Sequence, residues 1–315
     1  AGAVAFSDDG HFDSNAKVLL NAYDYLHAFD ISKGFYGMGA GVRQGLNWDG
    51  IKWLKILSPP LPEQHRIAAF LDDKCAHIDA VIEKTRASID EYKKLKQAII
   101  TRAVTKGLRK GRKMKDSGIE WIGEIPQEWE VVALKYLCTM QAGKNLIAEQ
   151  IATAGEFPVY GGNGKRGYFH SYNNEGEAII VGRQGALCGN VHKVDGRYWA
   201  TEHAVITKSN ESCTMFFLYH LLQGMNLNQY VSPTAAQPGL AVSTIQNLKT
   251  CLPPLPEQQE IAAYLDAKTA AIDRLITKKE QLIAEMQSCK KSLIYEVVTG
   301  KREIKPYLSK NSDAV

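Results

Sequence analysis

One segment of this chain occurs twice, and the duplication limits what the chain can fold into. Pro59–Gln64 reads PPLPEQ and is followed by IAAFLD, and Pro253–Gln258 reads PPLPEQ again and is followed by IAAYLD. The copies stand 194 residues apart, and the same offset persists without a gap as far as Val104 and Val298. Because composition alone does not hold a register over so many positions, we predict a tandem of two similar units.

Each copy of the repeat begins a segment with the pattern of a long helix. Apolar residues recur at steps of three, four or seven from Pro59 to Thr105 and from Pro253 to Thr299, which predicts a narrow stripe facing one partner helix. Gly300 is expected to end the second helix. We predict that the two stripes pack against each other as an antiparallel pair. The residues expected in this packing are Ile78, Ile82, Ile89 and Tyr92 from the first helix and Ile272, Ile276, Ile283 and Met286 from the second.

Length and composition set broad bounds on the class of protein. The 315 residues have room for about two domains. A net charge of +4 permits a nucleic-acid partner without requiring one. The six cysteines are scattered, which favours free thiols in a reducing compartment. No signal peptide or membrane span is visible, so we expect a cytoplasmic protein without a membrane partner.

The residues between the two helices have the composition of a globular module. Strands are predicted at Val131–Leu137, Glu177–Val181, Val191–Val194 and Tyr198–Ile206, and a short helix at Met215–Leu222. Short strands alternating with turns and helices indicate a mixed α/β domain. The basic run KGLRKGRKMK at residues 106–115 precedes this module, and a solvated linker is favoured there over phosphate contact.

Two glycine-rich loops in this module carry the candidate functional residues. Tyr160–Tyr168 reads YGGNGKRGY and Gly182–Gly185 reads GRQG, and each combines glycines with side chains that contact bases or phosphates. An ordinary hairpin turn remains the alternative for each loop. The candidate DNA contacts are Gly162, Asn163, Gly164, Lys165, Arg166, Arg183, Gln184, Gly185, Lys193, Arg197, Thr234 and Gln237.

Motifs typical of catalysis are missing from the sequence. It contains no nucleotide phosphate loop, no nucleophile elbow and no Asn-Pro-Pro-aromatic tetrapeptide of amino-methyltransferases. His192 and His203 have no Cys or Asp at ligand spacing and are interpreted as structural histidines. We therefore expect no catalytic residue, metal or cofactor in this chain.

The combination of motifs resembles the specificity subunit of type I restriction–modification systems. The resemblance rests on the repeated PPLPEQ–IAxxLD helix start and on DSGIEWIGEIPQEWE, PVYGGNGKRGYF and AIIVGRQGALCG between the copies. It implies an α+β fold, with mixed α/β target-recognition domains joined to two long helices that form an antiparallel coiled coil. The implied domains are the C-terminal part of a first recognition domain at 1–57, a long helix at 58–107, a basic linker at 108–115, a second recognition domain at 116–252, a second long helix at 253–301 and a flexible tail at 302–315.

The resemblance also implies a function and partners. Such a subunit reads a split target on double-stranded DNA, and its helices act as a ruler between the half-sites. The helices dock two modification (methyltransferase) subunits, and restriction (translocase and nuclease) subunits complete the complex. S-adenosylmethionine, ATP and Mg are expected on these partners. The first recognition domain lacks its opening here, and if that truncation is natural, a self-dimer would restore a second reading head.

Two other classes of protein remain as alternatives. A coiled-coil assembly or scaffold protein would bind a protein partner without DNA specificity. A stand-alone nuclease or methyltransferase is disfavoured by the missing catalytic motifs. A salt-dependent gel shift separates DNA binding from the scaffold alternative.

Overall fold

The computed structural model describes Leu26 and residues 59–185, 188–231 and 239–304. The predicted partial recognition domain at 1–57 and the tail beyond residue 304 lie outside these residues, apart from Leu26. Thr234 and Gln237 also lie outside them. All other candidate DNA contacts fall within the described part of the chain.

Two long helices enclose a strand-rich segment in the described sequence. The elements in chain order are α1 (Leu61–Lys106), β1 (Met114–Asp116), β2 (Glu124–Pro126), β3 (Glu130–Ala133), β4 (Cys138–Ala142), β5 (Phe157–Gly161), β6 (Gly164–Phe169), β7 (Asn174–Glu175), β8 (Ala178–Gly182), β9 (Val191–Val194), β10 (Arg197–Ala200), β11 (Ala204–Ser209), α2 (Met215–Gly224), α3 (Val242–Asn247), β12 (Lys249–Leu252) and α4 (Leu255–Val298). This combination confirms the prediction of an α+β fold with long helices.

The long helices begin and end where local chemistry predicts. Glu63 lies in the first turn of α1 and Glu257 in the first turn of α4, at the positive end of each helix dipole. After α4, Gly300 adopts φ 71° and its N–H donates to the Val297 carbonyl. Gly300 is in the left-handed conformation and gives a hydrogen bond to a carbonyl of the last helical turn, so it ends the helix as the sequence predicted.

Among the described residues between the long helices, the strands form four small sheets. Two of them have four strands each, in the orders β6-β5-β10-β7 and β4-β11-β8-β9. Strands β5 and β10 pair in parallel, whereas β8 is antiparallel to both β9 and β11. The remaining pairs are β1 with β2 and β12 with β3. β8 is one of the two inner strands of its sheet, and all five of its residues are buried.

The chain divides into two compact units, and both long helices contribute to each. The first unit contains residues 1–90 and 275–315, and the second contains residues 91–274. In the first unit, Ile67 and Leu71 of α1 pack with Leu293, Ile294 and Val297 of α4. The start of one helix therefore meets the end of the other in this unit, which is the predicted antiparallel arrangement.

The second unit has a larger core. Ile100 and Val104 at the end of α1 share it with Ile261 and Leu265 at the start of α4. The helices are thus antiparallel in this unit as well. Trp129, Phe217 and further strand and helix residues complete the core, which ties the module to both helix segments. Burying large apolar side chains of this kind stabilises each by about 1.5–3 kcal/mol.

The predicted packing residues differ in burial. Ile82, Ile89 and Ile272 are buried at 5%, 6% and 7% exposure. The half-buried members of the set are Ile78, Tyr92, Ile276, Ile283 and Met286. Partial burial fits a two-helix stripe, because two helices alone cover only one face of each other.

Two ion pairs repeat the sequence duplication in three dimensions. In the first unit Lys290 Nζ lies 2.8 and 2.6 Å from the Asp79 carboxylate oxygens. In the second unit Lys96 Nζ lies 2.7 and 2.6 Å from those of Asp273. Lys290 follows Lys96 by 194 residues, and Asp273 follows Asp79 by the same number. The same Asp–Lys pair therefore forms twice: α1 supplies the aspartate in the first unit and the lysine in the second. Each pair defines the antiparallel register of the helices within its own unit.

Two strand predictions are wrong in detail. The predicted strand Val131–Leu137 is β3, which ends at Ala133, followed by a 3₁₀ turn at Leu134–Tyr136. The Leu134 amide bonds the Leu248 carbonyl there, which ends the ladder with β12. The predicted strand Tyr198–Ile206 is divided between β10 and β11. Its middle residues form a turn in which the Ala204 amide donates to the Thr201 carbonyl at 3.0 Å, and β11 then pairs with β4 and β8 instead of β5.

Several cysteines are buried in the core. None of the six cysteines, which all lie in the described ranges, forms a disulfide, and burial raises the pKa of Cys138, Cys213 and Cys251 to about 12. These three thiols are therefore protonated and unreactive at neutral pH.

In the part of the chain that the structure describes, no helix has the length and apolar character needed to cross a membrane.

Candidate nucleic-acid interface

Three chain segments meet at one end of the strands of the module. They are the turn between β5 and β6, the end of β8, and the turn between β10 and β11. The Arg183 amide donates to the His203 carbonyl at 3.0 Å, and the Arg183 carbonyl accepts from the Leu240 amide at 2.8 Å. Arg183 is thus held by its backbone on both sides, which gives its side chain a fixed origin.

Two glycines allow these segments to approach closely. A Cβ atom on Gly182 would lie 2.0 Å from the Gly162 carbonyl oxygen. A Cβ atom on Gly162 would lie 3.2 Å from the His203 carbonyl oxygen and 3.3 Å from that of Gln184. The two glycine-rich loops singled out in the sequence are therefore packed backbone against backbone, which only residues without a side chain permit.

Two residues at the start of β9 hold the turn between β5 and β6. Asn190 Nδ2 donates to Asn163 Oδ1 at 2.9 Å. The His192 ring covers Gly164, whose φ of 85° lies in the left-handed region. These contacts make Asn190 and His192 positioning residues for the turn. Sequence reasoning did not select Asn190, and it interpreted His192 as structural, which agrees with its packing here.

Several buried polar atoms without partners lie where these three segments meet, a place that we call the junction. Among the described residues they include Arg183 Nε, Thr201 Oγ1, Glu202 Oε2 and His203 Nδ1. Buried polar groups normally have a hydrogen-bond partner, so unsatisfied atoms of this kind mark where water or a rearranged side chain can complete the bonding. Glu202 was missed by sequence reasoning, although a carboxylate can accept from the N4 amino group of cytosine.

The exposed cations of the β5–β6 turn lie on the same edge. Lys165 Nζ lies 2.6 Å from the Tyr168 hydroxyl and 3.9 Å from the centre of that ring. Arg166 is exposed, and its stem covers Gly161 at the end of β5. Gln184 and Gly185 follow Arg183 directly, and Gln184 forms a bridge with Gly239. The predicted residues 162–166 and 183–185 are therefore brought together.

Two of the candidate DNA contacts, Lys193 and Arg197, lie away from the junction. Lys193 Nζ lies 3.2 Å from Asp266 Oδ1 and 4.4 Å from the centre of the Tyr219 ring. Arg197 begins β10, whose other end is at the junction, and it pairs with Glu175 at 3.3 Å. Three residues of extended strand separate it from that end, a distance of about 10 Å. Both cations are engaged by the protein, and neither joins the junction.

The basic run ahead of the module is tied to acidic residues of α4 and the module. Arg112 Nη2 lies 3.1 Å from Glu257 Oε2, and Arg112 Nε lies 3.0 Å from Glu128 Oε1. Hydrogen bonds to Glu257 raise the pKa of Arg112, and Arg112 lowers the pKa of Glu128. Arg109 pairs with Glu260 at 3.2 Å. These contacts make the run a structural clamp, which favours the linker interpretation over phosphate contact.

A buried histidine fastens α2 to α4. His220 is 1% exposed, and its Nε2 lies 2.8 Å from Asp266 Oδ1. Burial lowers the pKa of His220, and the Asp266 carboxylate opposes part of this effect. The neutral imidazole is therefore the form that suits the folded state.

This burial predicts a pH dependence of stability. A histidine whose pKa is lowered by folding destabilises the folded state as pH falls below its unfolded pKa of about 6.5. We expect the melting temperature of the His220→Gln variant to fall less steeply than that of the parent chain between about pH 7 and pH 5. His192, whose pKa burial also lowers, leaves a residual slope in the variant. An identical slope in both proteins, measured by scanning calorimetry, contradicts the assignment.

The chemistry of the junction suits recognition of a polar ligand. Guanidinium, carboxamide, carboxylate and imidazole groups of residues 183, 184, 202 and 203 lie close together in the chain there. In the described ranges, no group of three or more His, Cys, Asp or Glu residues has the arrangement of a metal site.

Comparison with known proteins identifies the family. The family model described as the type I restriction modification DNA specificity domain matches residues 126–285. This match covers the module from the end of β2 onwards and α4 as far as Glu285. The chain belongs to this family. The resemblance deduced from the repeated helix start and the glycine-rich loops is therefore confirmed, and so is the expectation of a specificity subunit.

Curated relatives of this specificity domain agree with the family match. The chain is 45% identical over 131 residues to the type I restriction enzyme EcoprrI specificity subunit of Escherichia coli, which covers 40% of this chain and 32% of that protein. It is 27% identical over 278 residues to the type I restriction enzyme MjaVIII specificity subunit of Methanocaldococcus jannaschii, covering 80% of this chain and 63% of that protein. The chain thus spans less than two thirds of either relative.

A solved structure of the type I R-M system shares the fold. One of its chains, from work on complex assembly and conformational transition, covers 88% of this chain and 70% of its own length. The TM-score is 0.65 at 16% sequence identity. The likeness extends over nearly all of the present chain, so the specificity domain and the long helices belong to one shared architecture.

Proposed function

We propose that this chain is the sequence-reading, non-catalytic subunit of a type I restriction–modification complex. The convergence of Arg183, Gln184 and the Gly162–Arg166 turn at one edge of the module supports this proposal most strongly. Arg forms bidentate contacts with guanine in the major groove, and Gln does so with adenine. We infer that Arg183 and Gln184 read bases and that Lys165 and Arg166 contact phosphates.

The rigidity of the junction favours Arg183 as a base reader. Its backbone is bonded to two different segments, whereas Lys165 is an exposed residue of the hairpin strand β6, which among the described strands pairs only with β5. A side chain with a fixed origin loses less conformational freedom when it forms a bidentate contact. Glu202 and His203 lie beside it, and their buried unpartnered atoms support a role in the same contact surface.

The long helices have a separate proposed role. The helical pairs in the two units have the same register, which the Asp79–Lys290 and Lys96–Asp273 ion pairs define. Both helices contribute to both units, so we infer that they act as a spacer between half-sites of a bipartite target. Partners proposed for the helices and the module are two methyltransferase subunits, the restriction subunits and double-stranded DNA. S-adenosylmethionine, ATP and Mg would be held by those subunits, in the cytoplasm.

Mutation of the base readers tests the proposal. In the complex assembled with its methyltransferase subunits, we expect Arg183→Ala to lose about 1–3 kcal/mol of discrimination at one base pair. Combined with Gln184→Ala, it should change the methylated sequence motif measured by methylome sequencing. Lys165→Ala should weaken binding to all sequences alike and reduce the salt dependence.

A matched control separates base reading from general charge loss. Arg197→Ala removes the same charge from an ion pair at the other end of β10, so it should leave the methylated motif unchanged. An unchanged motif in the Arg183→Ala/Gln184→Ala complex, with methylation still measurable, contradicts the assignment of both readers. A complete lack of DNA affinity in the parent complex contradicts the proposed function itself.

A further inference from the structure

The sequence duplication places the same glutamate at the start of both long helices, but the two copies have different surroundings. Glu63 precedes Glu257 by 194 residues. Glu257 is 5% exposed, whereas Glu63 is exposed. Since the helical sequences around them are alike, the difference must come from what covers each helix start.

In the second unit the covering group is an arginine–tryptophan anchor. Trp129 Nε1 donates to Glu257 Oε2 at 3.0 Å, and Arg112 Nη2 donates to the same oxygen at 3.1 Å. Trp129 is fully buried and shares its core with Ile261 and Val104. The carboxylate thus accepts from an indole and a guanidinium, and the apolar floor of the site is formed by the helix start and the opposite helix end.

In the first unit the equivalent place is a cavity of about 350 Å³. Its lining includes Glu63, Ile67 and Val298, which are the counterparts of Glu257, Ile261 and Val104 at the same offset. The acceptor and the apolar floor are therefore both repeated. Cavities of a few hundred Å³ are large enough to hold ligand groups.

A charge pair at the rim supports the equivalence. In the second unit Arg109 pairs with Glu260 beside the anchor. At the same offset the first unit has Glu303 and Arg66, and both line the cavity. The signs are exchanged between the two positions, yet each site keeps one cation and one anion. The rim is thus complementary in both units, as expected for two forms of one socket.

We propose that this cavity is a docking socket for the arginine–tryptophan anchor of a further recognition module. The occupant is a polypeptide segment that these 315 residues contain once, in DSGIEWIGEIPQEWE and the basic run before it. That copy is already engaged at Glu257, so the anchor for Glu63 belongs to a module outside these residues. The indole and guanidinium of the anchor would donate to the Glu63 carboxylate. This inference rests on the duplication and not on DNA reading.

An extended chain tests the socket directly. A copy of residues 109–194 placed immediately before Ala1 continues the repeat, because Ala1 stands 194 residues before Asp195. The copied arginine and tryptophan then have the same sequence separation from Glu63 as Arg112 and Trp129 have from Glu257. Carboxylates are labelled with a carbodiimide and glycine amide, and the labelled residues are quantified by mass spectrometry in the 315-residue chain and in the extended chain.

We expect Glu63 to be labelled in the 315-residue chain and to be protected in the extended chain. Glu257 should be protected in both proteins. Glu91, an exposed residue of α1, serves as the internal control and should be labelled equally in both proteins. Replacing the copied tryptophan and arginine with alanine should restore the labelling of Glu63. Glu257 in the same sample shows what an occupied socket yields.

Two results overturn the proposal. Labelling of Glu63 that is unchanged by the extension shows that the cavity does not bind the anchor. Protection that persists after the copied tryptophan and arginine are replaced shows that another group covers Glu63. Neither measurement uses DNA, so a failure here is distinguishable from a failure of the proposed DNA recognition.

Discussion

Replacing Glu257 with alanine is expected to destabilise the second unit by about 2–4 kcal/mol, because the buried Arg112 guanidinium loses its more buried partner and keeps only Glu128. The Arg112 side chain is 10% exposed, and Glu257 is its more buried partner at 6%. The substitution also deprives the fully buried Trp129 of the acceptor for its indole N–H. We expect the urea midpoint, followed by tryptophan fluorescence, to fall accordingly.

Glu260 provides the matched control one turn further along the same helix. It pairs with Arg109, but these side chains are 52% and 59% exposed. Exposed pairs contribute about 0–1 kcal/mol, so Glu260→Ala should shift the midpoint little. If the two alanine variants unfold at the same urea concentration, the buried cluster does not fasten the module to α4 as inferred.

The long helices could be predicted closely from the sequence because their signals are local and repeated. A proline-rich start, a glutamate in the first turn and an apolar stripe of many turns all point to the same element. The observed bounds, Leu61–Lys106 and Leu255–Val298, differ from the predicted ones by only one or two residues. The predicted antiparallel pairing also follows from sequence, since each stripe is satisfied by the other.

The module was harder to predict because its turns are set by distant residues. No local signal shows that the chain turns between Thr201 and Ala204, and the run of β-branched and aromatic residues favours one uninterrupted strand. The same limit applies to the junction. The glycines of both loops indicated a close approach, but which cations share that edge depends on strand register, and register placed Lys193 beside Asp266.

The clamp at Glu257 shows a further limit of sequence reasoning. Its members Arg112, Trp129 and Glu257 come from the linker, the module and the second helix, and nothing in their local patterns links them. The only available signal was the repeat, which marks Glu257 as a duplicated residue of a first turn. Once the contacts of Glu257 are known, equivalent contacts can be expected for Glu63, its copy at the start of the first long helix.

Gly182→Ala is the substitution expected to damage the junction most. The added Cβ would lie 2.0 Å from the Gly162 carbonyl oxygen, which is backbone and cannot rotate away. The end of β8 and the β5–β6 turn must then separate, at a cost of about 3 kcal/mol or more. We expect a lower unfolding midpoint and, in the assembled complex, loss of sequence-specific DNA binding, since Asn163 would move away from Asn190.

Gly185→Ala is the control for this prediction, because it adds the same methyl group three residues later. Gly185 has φ 85°, and none of the described residues beyond its chain neighbours has an atom within 4 Å of the added Cβ. Its substitution should therefore cost only the strain of a left-handed residue, about 1–2 kcal/mol. Equal stability and equal DNA affinity in the two variants contradict close packing of the two loops. A larger loss in Gly182→Ala shows that contact between the loops, rather than the mobility of either one, holds Arg183 in place.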